Sequence, residues 1–535
     1  MKDDKAAETQ HFFTESPHKE PTIAPEDTAY TEESANDESP LEDTQALTDI
    51  RLSAVRKNIM EFAAEPAADL SAEPQNKIII GTPDKALNNI FNDFLPWQIL
   101  NVRILGRTGF YQCGGAYGFR DQLQDCSALV LTNPEIVRRQ IIRSCAAQFP
   151  EGDVLHWWHT NPGKPNAVKG VRTRYSDDLL WLPFVTAEYV LKTGDYDFLK
   201  TQVPFVEGPL LSETEHERYF EPEISSEMAS IEEHCRRAIE KSGSKGAHGL
   251  PLIGGGDWND SFNLVGIKGH GESVWLAQFR AMTLKLFAEV LQKTGDAAAA
   301  QEYRKEAQEL LNAVDEHAWN GAWYLRAFYD DGSPLGAAGN PECEIDLLPQ
   351  AFAVLSGMPD KERIDTALKS AIDKLVDEKA GIIKLFTPAF THFGKQTGYV
   401  NAYPQGVREN GGQYTHAAVW LCLAMFRNNQ PDEGYRLLRL INPAAKLEDR
   451  EKALRYKTEP YAFAGDVYSA KGMEGRGGWS LYTGAAGWYY RTVYEELLGI
   501  KQRDGKITIS PKLPSGFEGS KIKLIIGGKE NEFTL

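Results

Sequence analysis

The chain has 535 residues, of which 42% are hydrophobic and 25% charged, values typical of a globular protein that buries a large core. Its net charge of −18 argues against sequence-independent nucleic-acid binding, which requires Lys and Arg to neutralise phosphates. No run of about 18 apolar residues and no apolar leader segment occurs, so we expect no membrane insertion and a cytoplasmic location. The six cysteines show neither CxxC pairing nor zinc-finger spacing, which favours free thiols.

The first part of the chain differs from the rest in composition. Residues 1–50 carry 14 acidic and three basic residues and little apolar content. Such a segment buries too little apolar surface to offset its ordering entropy, so we predict a disordered acidic tail. A helix is predicted near Leu52, in RLSAVRKNIMEFAAE, and a Pro-bearing linker follows. Residues 51–84 are therefore predicted to form a linker and helical lead-in.

Helical periodicity dominates from Pro83 onward. The clearest segments are residues 83–105, 133–149, 176–195, 271–296, 296–319, 361–376 and 414–429. Several open with Asp, Ser or Asn and close with Gly or Asn, as helix caps require. The loops between them are long and rich in Gly, Trp, Asp, Tyr and His, and long ordered loops are commonly functional. About a dozen helices with such loops favour an all-α toroid of paired helices over residues 85–500, with the loops around a shared cleft.

The pattern changes to short β-strands after residue 500. The segments KITISPKLP, KIKLIIGG and NEFTL are separated by turn residues, which predicts a β appendage over residues 501–535. Because the chain stops on a strand, we expect this appendage to be partial.

The segment GGGDWNDSFN, residues 254–263, is the strongest local signal of a site. Its glycines allow close backbone approach to a ligand, and it places Asp257 and Asp260 on either side of Trp258. A carboxyl beside an indole, where a sugar ring can stack, has a raised pKa and can act as a general acid. The alternative is a turn in which Asp and Asn serve only as caps.

A second candidate segment, GFRDQLQD, brings Arg120 close to two acids. If QLQD opens a helix, Asp121 and Asp125 lie four residues apart on one face and can accept hydrogen bonds from sugar hydroxyls. The alternative is a structural Arg–Asp pair at the start of a helix.

Two further segments, LHWWHTNPG and GVRTRYSDDLLW, are predicted to form the wall of a sugar site. The HxxH spacing of His156 and His159 is compatible with zinc, but no third ligand is evident, so we expect no metal. The predicted wall residues are His156, Trp157, Trp158, His159, Arg172, Arg174, Asp177 and Asp178.

Two glycine-rich loops that enter helices are candidates for an anion site. PQGVRENGGQYTHAAVW carries Arg408, Glu409 and His416, and GRGGWSLYTGAAGW carries Thr483 and Gly484. Helix N-termini with free N–H groups, a hydroxyl and a His or Arg can bind an anion.

Five of these motifs occur in one order: GFRDQLQD, RYSDDLLW, GDWND, RENGGQYTH and GWSLYTGAAGW. Together they resemble glycoside hydrolase family 94, the cellobiose and chitobiose phosphorylases and their relatives, over about residues 85–510. The segments HWWH, AHGLPLIGGGDWND and GESVWL are most similar to the C-terminal phosphorylase-like region of cyclic β-1,2-glucan synthases and to 1,2-β-oligoglucan phosphorylases. The resemblance implies an (α/α)6 barrel, a six-hairpin toroid, which agrees with the helical periodicity.

The resemblance also implies roles for individual residues. The family's general acid is the last Asp of its W-N-D motif, here Asp260, and Trp258 matches the position that contacts the sugar in subsite −1. Arg120, with Asp121 and Asp125, matches the segment that binds the hydroxyls of the same sugar; which Asp does so stays open.

The two glycine-rich loops match the remaining parts of the family's site. Arg408 and Glu409 match the sugar-binding loop, where some family members carry Lys at the first position. His416, Thr483 and Gly484 match the phosphate site. The resemblance further implies a homodimer, since phosphorylases of this family are commonly dimers.

The mechanism that follows is inverting phosphorolysis. Asp260 protonates the glycosidic oxygen while phosphate attacks the anomeric carbon from the opposite face, which releases α-glucose 1-phosphate. Because phosphate is already an anionic nucleophile, no base is needed, whereas an inverting hydrolase needs a second carboxylate. The expected ligands are a β-linked gluco-oligosaccharide and inorganic phosphate as co-substrate, with no cofactor.

Three alternatives stay open at this stage. The chain is an inverting β-glucan hydrolase, a non-catalytic or accessory glucan-binding domain of a cyclic glucan synthase, or a phosphorylase for β-1,4 in place of β-1,2 linkages. Family members usually carry a large β-sandwich domain before the barrel, and the acidic tail stands in its place here. The chain is therefore expected to be a piece of a longer synthase or phosphorylase.

Overall fold

The computed structural model describes residues 76–109, 112–161 and 164–535. The predicted acidic tail and residues 51–75 of the predicted lead-in lie outside the described residues. Within the rest of that lead-in, Lys77–Gly81 forms a β-strand whose Ile78 and Ile80 are buried, because alternate residues of a strand point to opposite faces. Its three consecutive isoleucines are a strand signal, since β-branched side chains favour strands.

Helices dominate the described residues, and we number them α1 to α13 in chain order. Their bounds are α1 (consecutive stretches Lys85–Asn89, Ile90–Phe94, Leu95–Trp97 and Gln98–Gly106), α2 (Phe119–Ser127), α3 (Pro134–Cys145), α4 (Trp181–Thr193), α5 (Ile231–Lys241), α6 (Val274–Thr294), α7 (Ala297–His317), α8 (Leu347–Leu355), α9 (Lys361–Leu375), α10 (Thr415–Arg427), α11 (Pro431–Ile441), α12 (Arg450–Tyr456) and α13 (Ala485–Arg491, continued by Thr492–Leu497). The seven helical segments predicted from periodicity are confirmed. Short 3₁₀ turns cover Asp178–Leu180, Tyr196–Lys200, Asp260–Phe262, Tyr399–Ala402 and Ala444–Glu448.

The junction between α6 and α7 shows how the sequence sets these boundaries. The Ser273 side chain accepts a hydrogen bond from the backbone N–H of Leu276 and so caps the start of α6. Gly295 ends α6 with φ of 99°, and the Asp296 side chain then accepts from the N–H of Ala299 to start α7. Gly295 and Asp296 therefore form the whole connection between α6 and α7.

Six helices contact one another in a ring. α2 contacts α4, α4 contacts α6, and the sequence continues through α8, α10 and α13, which contacts α2 again. Six outer helices, α1, α3, α5, α7, α9 and α11, pack against these inner helices. The predicted toroid of paired helices is thus supported, but the prediction that residues 85–500 are all-α is wrong, because short strands lie between the helices.

Large aromatic side chains fill the middle of this ring. Trp181 of α4, Trp275 of α6 and Trp420 of α10 are fully buried, and the Trp181 and Trp420 rings stack with centroids 6.4 Å apart. The ring centroids of Phe352 in α8 and Trp488 in α13 lie 5.0 Å and 5.7 Å from that of Trp420. Much of the aromatic excess in the sequence therefore stabilises the core, since aromatic rings bury the most apolar area per residue.

Contacts between the starts of successive inner helices bring these ends together. Arg120 of α2 binds Asp177 before α4 and the Asp257 carbonyl before α6, Arg326 before α8 binds the Asp257 side chain, and His416 of α10 lies against Gly484 before α13. The loops before the inner helices therefore meet at one end of the ring.

Small antiparallel sheets accompany the helices. The strands are β1 (Lys77–Gly81), β2 (Tyr117–Gly118), β3 (Leu155–Asn161), β4 (Lys164–Thr173), β5 (Gln202–Glu207), β6 (Glu217–Phe220), β7 (Glu223–Ser230), β8 (Glu272–Ser273), β9 (Ala327–Phe328), β10 (Pro334–Leu335), β11 (Ile345–Asp346), β12 (Val376–Asp377), β13 (Ile382–Ile383), β14 (Phe386–Thr387), β15 (Gln413–Tyr414), β16 (Asp466–Val467), β17 (Ile500–Arg503), β18 (Lys506–Ile509), β19 (Lys521–Ile526) and β20 (Lys529–Thr534). The sheet β2-β3-β4-β6 was not predicted, and it includes the HWWH segment, which forms strand β3.

The C-terminal strands form two separate sheets. β17 and β18 make a hairpin, and β19 lies between β20 and β1, paired from Lys77 with Ile525 to Gly81 with Lys521. The predicted C-terminal strands are confirmed, and the segment at the start of the described chain completes their sheet. None of the helices in the described part of the chain has both the length and the apolar character of a membrane span.

Candidate active site

A cavity of about 370 Å³ lies where the starts of the inner helices meet. Eight of the ten predicted site residues line it, namely Arg120, Asp121, Trp258, Asp260, Arg408, His416, Thr483 and Gly484. The other two, Asp125 and Glu409, are buried beside it. Other lining residues are Arg103, Gln112, His156, Trp157, His159, Tyr414, Asp466, Trp479 and Tyr482.

The loop that carries the candidate acid, residues 254–260, runs close against the backbone before α4. The N–H of Gly255 donates to the carbonyl of Arg174, and the carbonyl of Gly256 accepts from the N–H of Ser176. A Cβ on Gly254 would lie 2.4 Å from the Arg174 carbonyl oxygen, and both Gly254 and Gly256 have positive φ. Only glycine fits this close approach, which fixes the direction in which the loop delivers Asp260.

Asp260 lies between two basic groups. Its Oδ1 accepts a hydrogen bond from Arg120 Nη2 at 2.6 Å, and its Oδ2 lies 3.7 Å from His156 Nε2. Burial raises the pKa of Asp260 above its ordinary value, although the charges of Arg120 and His156 oppose this shift. The carboxyl is partly exposed to the cavity, and its pKa is shifted in the direction that a general acid requires.

His156 is itself held by a carboxylate. Its Nδ1 contacts Asp178 Oδ2 at 2.7 Å. Burial disfavours the imidazolium, but the carboxylates of Asp178 and Asp260 outweigh burial and raise the pKa of His156 to about 9. At neutral pH a positive charge therefore stands next to the candidate acid.

Arg120 connects the acid to the start of α4. Its Nη1 donates to Asp177 Oδ1 at 2.7 Å and to the backbone carbonyl of Asp257 at 3.0 Å. Asp177 also accepts from Trp181 Nε1, and burial raises its pKa to about 7. The alternative of a local Arg–Asp pair at the start of the helix does not hold for Arg120, which is bonded to Asp177 and Asp260, residues far along the chain.

Asp257 has a structural position, in contrast to Asp260. Arg326 donates to both of its oxygens, at 2.6 Å and 2.7 Å, and the Ser273 hydroxyl donates to one of them at 2.6 Å. Burial alone would raise the pKa of Asp257, but the Arg326 guanidinium and these hydrogen bonds hold it below its ordinary range. All three residues are fully buried. The ion pair with Arg326 and the hydrogen bond from Ser273 therefore hold the loop against the start of α6.

Asp121 and Asp125 share one basic partner, Arg103 of α1. Arg103 Nη2 donates to Asp121 at 3.1 Å and its Nε donates to Asp125 at 2.8 Å. The predicted helix and the common face are confirmed, but only Asp121 reaches the cavity. Asp125 is buried, and burial raises its pKa to about 6 despite Arg103. Asp121 is therefore the acid placed to meet a ligand.

The candidate anion site is formed by the starts of α10 and α13. A Cβ on Gly484 would lie 2.9 Å from His416 Cε1, so a glycine is needed for the imidazole to lie there. Burial and the charge of Arg103 lower the pKa of His416 to about 3, so the ring is neutral. Its buried Nε2 has no hydrogen-bond partner among the described residues. The centroids of the His416 and Trp258 rings lie 5.3 Å apart. A buried polar atom without a protein partner at a cavity is able to bind a ligand or a water there.

The predicted sugar-binding loop is held by Asp466. Its two oxygens accept from the backbone N–H groups of Arg408 and Trp479, at 3.0 Å and 2.6 Å. The Arg408 guanidinium lies 4.3 Å over the Trp479 ring and pairs with Glu409 at 3.4 Å. Glu409 lies behind Arg408, outside the cavity lining, and burial raises its pKa. Arg408 is thus presented to the cavity on an aromatic surface.

The predicted wall formed by the HWWH and RYSDD segments is confirmed only in part. His156, Trp157 and His159 line the cavity, but Trp158 is buried on the other face of β3. Arg172 and Arg174 do not line it either: Arg172 binds Asp153 and Glu151, and Arg174 binds the carbonyls of Ser212 and Glu215. Asp177 and Asp178 lie outside the lining and bind two residues of it, Arg120 and His156 respectively.

Arg103 and Arg326 are functional candidates that the sequence did not reveal. Each is an arginine in a segment without a motif, and the pairs Arg103–Asp125 and Arg326–Asp257 join residues 22 and 69 positions apart. No group of three His, Cys, Asp or Glu side chains is placed to hold a metal ion within the described ranges.

The comparison with known families agrees with the resemblance found in the motifs. The sequence model described as "Glycosyl hydrolase 94 superfamily, catalytic domain" matches residues 72–499. The chain therefore belongs to the glycosyl hydrolase 94 superfamily.

Among individual relatives, the cyclic beta-(1,2)-glucan synthase NdvB of Rhizobium meliloti is 41% identical over 485 residues, which are 90% of this chain and 17% of that protein. Solabiose phosphorylase of Paenibacillus borealis is 31% identical, over 84% of this chain and 54% of that protein. The 1,2-beta-oligoglucan phosphorylase of Listeria innocua is 22% identical, over 76% of this chain and 38% of that protein. The chain thus spans only about half, or less, of these relatives.

The fold also resembles a solved structure. A GH78 family rhamnosidase of Bacillus sp. GL1 superposes with a TM-score of 0.53 at 13% identity, over 84% of this chain and 39% of that one. At this identity the likeness concerns the fold alone.

Proposed function

We propose that this chain is a glycoside phosphorylase that cleaves β-linked gluco-oligosaccharides with inorganic phosphate and releases α-glucose 1-phosphate. One observation carries the proposal. A single cavity holds a carboxyl with a raised pKa, Asp260, and a neutral imidazole, His416, whose buried Nε2 has no partner among the described residues. Asp260 fits the role of the general acid, and His416 fits the role of a group that binds the phosphate nucleophile.

The ring of helices supports a six-hairpin toroid, an (α/α)6 barrel. Each of the first five inner helices is followed by an outer helix that packs on it, and the sixth, α13, contacts α1 and closes the ring on α2. In such an architecture the loops at one end form the site. The position of the cavity at the starts of the inner helices fits this arrangement.

Asp260 is proposed to protonate the glycosidic oxygen. Its hydrogen bond to Arg120 favours the ionised form in the unliganded protein, whereas burial favours the protonated form. A hydroxyl of the −1 sugar that accepts a hydrogen bond from Arg120 would compete for this guanidinium and so favour protonated Asp260, while Asp121 would accept from another hydroxyl. Trp258 lies where its ring can pack against the same sugar, and Arg408 with Glu409 behind it would complete the sugar-binding loop.

Phosphate is proposed to bind at His416, Thr483 and Gly484. The Thr483 hydroxyl accepts from the N–H of Ala485 at 3.1 Å, which leaves its proton free to donate to a phosphate oxygen. Arg103 lies on the cavity wall and adds positive charge. Oriented donors of this kind stabilise the charge of an attacking anion without a proton transfer.

The linkage proposed for the substrate is β-1,2. It is supported by the identity to a protein named cyclic beta-(1,2)-glucan synthase and by the match to a 1,2-beta-oligoglucan phosphorylase. Relatives named for other disaccharides keep β-1,4 open as an alternative. The homodimer expected from the family stays a prediction.

Two other functions compete with this proposal. An inverting hydrolase needs a carboxylate to activate water, and Asp121 lines the cavity near enough to His416 for its charge to oppose the lowering of the His416 pKa. Its salt bridge to Arg103 weakens it as a base, because the paired carboxylate has a lowered pKa. An accessory glucan-binding domain is the second alternative, because the match covers 17% of the synthase.

The test measures products from sophorose-series oligosaccharides and from cellobiose, with and without phosphate. Glucose 1-phosphate that forms only with phosphate supports the proposal, and the better substrate gives the linkage. Free glucose at the same rate without phosphate indicates the hydrolase. Binding of the oligosaccharides without turnover of any of them indicates the accessory domain.

Substitution of His156 tests the charge next to the acid. Because protonated His156 favours the Asp260 carboxylate, His156→Gln should raise the pKa of Asp260 and move the alkaline limb of kcat/KM to higher pH by about one unit. His159→Gln is the matched control, since His159 lines the same cavity but contacts the Gly114 carbonyl. A limb that moves to lower pH, or moves equally in the control, contradicts the assignment.

Substitution of Thr483 tests the phosphate site. Thr483→Val keeps the shape of the side chain but removes the hydroxyl, so KM for phosphate should rise about tenfold while KM for the oligosaccharide stays unchanged. Thr492→Val is the control, because that hydroxyl bonds to the Trp488 carbonyl in the same helical segment. An unchanged KM for phosphate, or equal rises in both KM values, would place phosphate elsewhere.

A further inference from the structure

One face of the sheet β2-β3-β4-β6 carries a row of residues that begins in the cavity. Gly118 pairs with Trp157, Trp157 with Val171, and Val171 with Tyr219, so these four residues lie side by side across the strands. Gly118 and Trp157 line the cavity, whereas Tyr219 lies at the far edge, outside its lining. The row therefore leads from the cavity to the protein surface.

Two aromatic rings form most of this row. The Trp157 and Tyr219 centroids lie 5.4 Å apart with the rings tilted by 40°, so they make a nearly continuous surface. Tyr219 is 50% exposed. Lys169 holds its exposed ammonium 4.7 Å from the Tyr219 ring, where it can donate hydrogen bonds to hydroxyls of a bound molecule. We call Trp157 and Tyr219 the aromatic platform.

The other face of the same sheet shows what a purely structural aromatic pair looks like here. Trp158 is buried and stacks on Tyr117 with centroids 5.6 Å apart. Those rings stabilise the sheet against α2, whereas Tyr219 gains much less burial for the same ring area. Exposed aromatic surface next to a cavity is typical of a binding site.

We propose that the aromatic platform is an accessory subsite that binds glucosyl units of a linear gluco-oligosaccharide beyond those held in the catalytic cavity. This proposal rests on the function proposed above. Glucosyl units present flat C–H faces that pack on aromatic rings, and the separation of the two rings is comparable to the length of one unit. A chain that leaves the cavity over Trp157 would reach Tyr219 with its next unit, so the platform selects chains longer than a disaccharide.

Calorimetry on the Asp260→Asn protein without phosphate measures binding apart from turnover. A linear β-1,2-gluco-pentasaccharide is compared with the disaccharide sophorose, with and without a second substitution, Tyr219→Ala. Loss of the ring should weaken pentasaccharide binding about tenfold and leave sophorose binding unchanged. Tyr219→Phe, which keeps the ring, should bind the pentasaccharide as tightly as the parent protein.

The control is Tyr461→Ala, an exposed tyrosine that contacts Phe94 and Trp97 away from the cavity lining. Equal weakening for both sugars, or no weakening for the pentasaccharide, overturns the platform. The phosphorylase proposal fails separately, through the absence of phosphate-dependent turnover in the wild-type protein, because the binding comparison requires no catalysis.

Discussion

Replacement of Asp260 with Asn is expected to lower kcat for phosphorolysis about a thousandfold, the usual contribution of a general acid. Asn keeps the shape of the side chain and can still contact Arg120, but it has no proton to give to the leaving oxygen. Arg120 retains Asp177 and the Asp257 carbonyl as partners, so the cluster should stay assembled. Thermal unfolding of the variant should therefore resemble that of the wild type.

The leaving group provides the control for this result. An aryl β-glucoside with an acidic phenol needs no protonation when its bond breaks, so the variant should lose far less activity on it than on the oligosaccharide. An equal loss on both substrates would mean that Asp260 binds the sugar or supports the loop, and the acid would have to be sought elsewhere.

Replacement of Arg326 with Leu is expected to lower the free energy of unfolding by about 3–5 kcal/mol, because it leaves the charge of Asp257 buried without its partner. The loop that carries Asp260 rests on this ion pair, so activity should fall as well. The measurement is the midpoint of urea denaturation. Arg363→Leu is the matched control: Arg363 pairs with Asp315 on a partly exposed surface, and its loss should cost less than about 1 kcal/mol.

The deficit of the Arg326 variant should depend on pH. In the wild type the pKa of Asp257 is lowered, so its ion pair stabilises the fold above the unfolded pKa and this contribution is lost as pH falls. In the variant, burial without a partner raises the pKa of Asp257, and protonation at low pH relieves the cost. The difference between the two proteins should therefore shrink as pH falls towards 4. A difference that is constant with pH, or no larger than that of the control, contradicts the ion-pair account.

Local patterns in the sequence predicted the helices well. The boundary at Gly295 and Asp296 follows from a positive φ and a side-chain cap, both properties of single residues and their near neighbours. The strand β3 was missed because its HWWH segment has two consecutive tryptophans, which hides the alternation between Trp157 at the cavity and Trp158 in the core. Which ring faces the ligand depends on the neighbouring strands, and these are distant in sequence.

The candidate site was predicted where chemistry is concentrated in a short motif. The loop with Asp260 and the residues His416, Thr483 and Gly484 meet in one cavity as the motifs indicated. The choice between Asp121 and Asp125 could not be made from helical spacing, because both lie on the same face and differ only in depth. Their separation depends on Arg103, whose helix packs on α2 from another part of the chain.

The central claim is that phosphate, with Asp260 opposite, attacks the anomeric carbon. The most direct measurement follows the reaction of a β-gluco-oligosaccharide by proton and phosphorus NMR from the first turnover. The account predicts that α-glucose 1-phosphate appears as the initial product, in proportion to the phosphate consumed, and that no sugar is released without phosphate. Initial formation of β-glucose 1-phosphate, or of free glucose at a rate independent of phosphate, would contradict it.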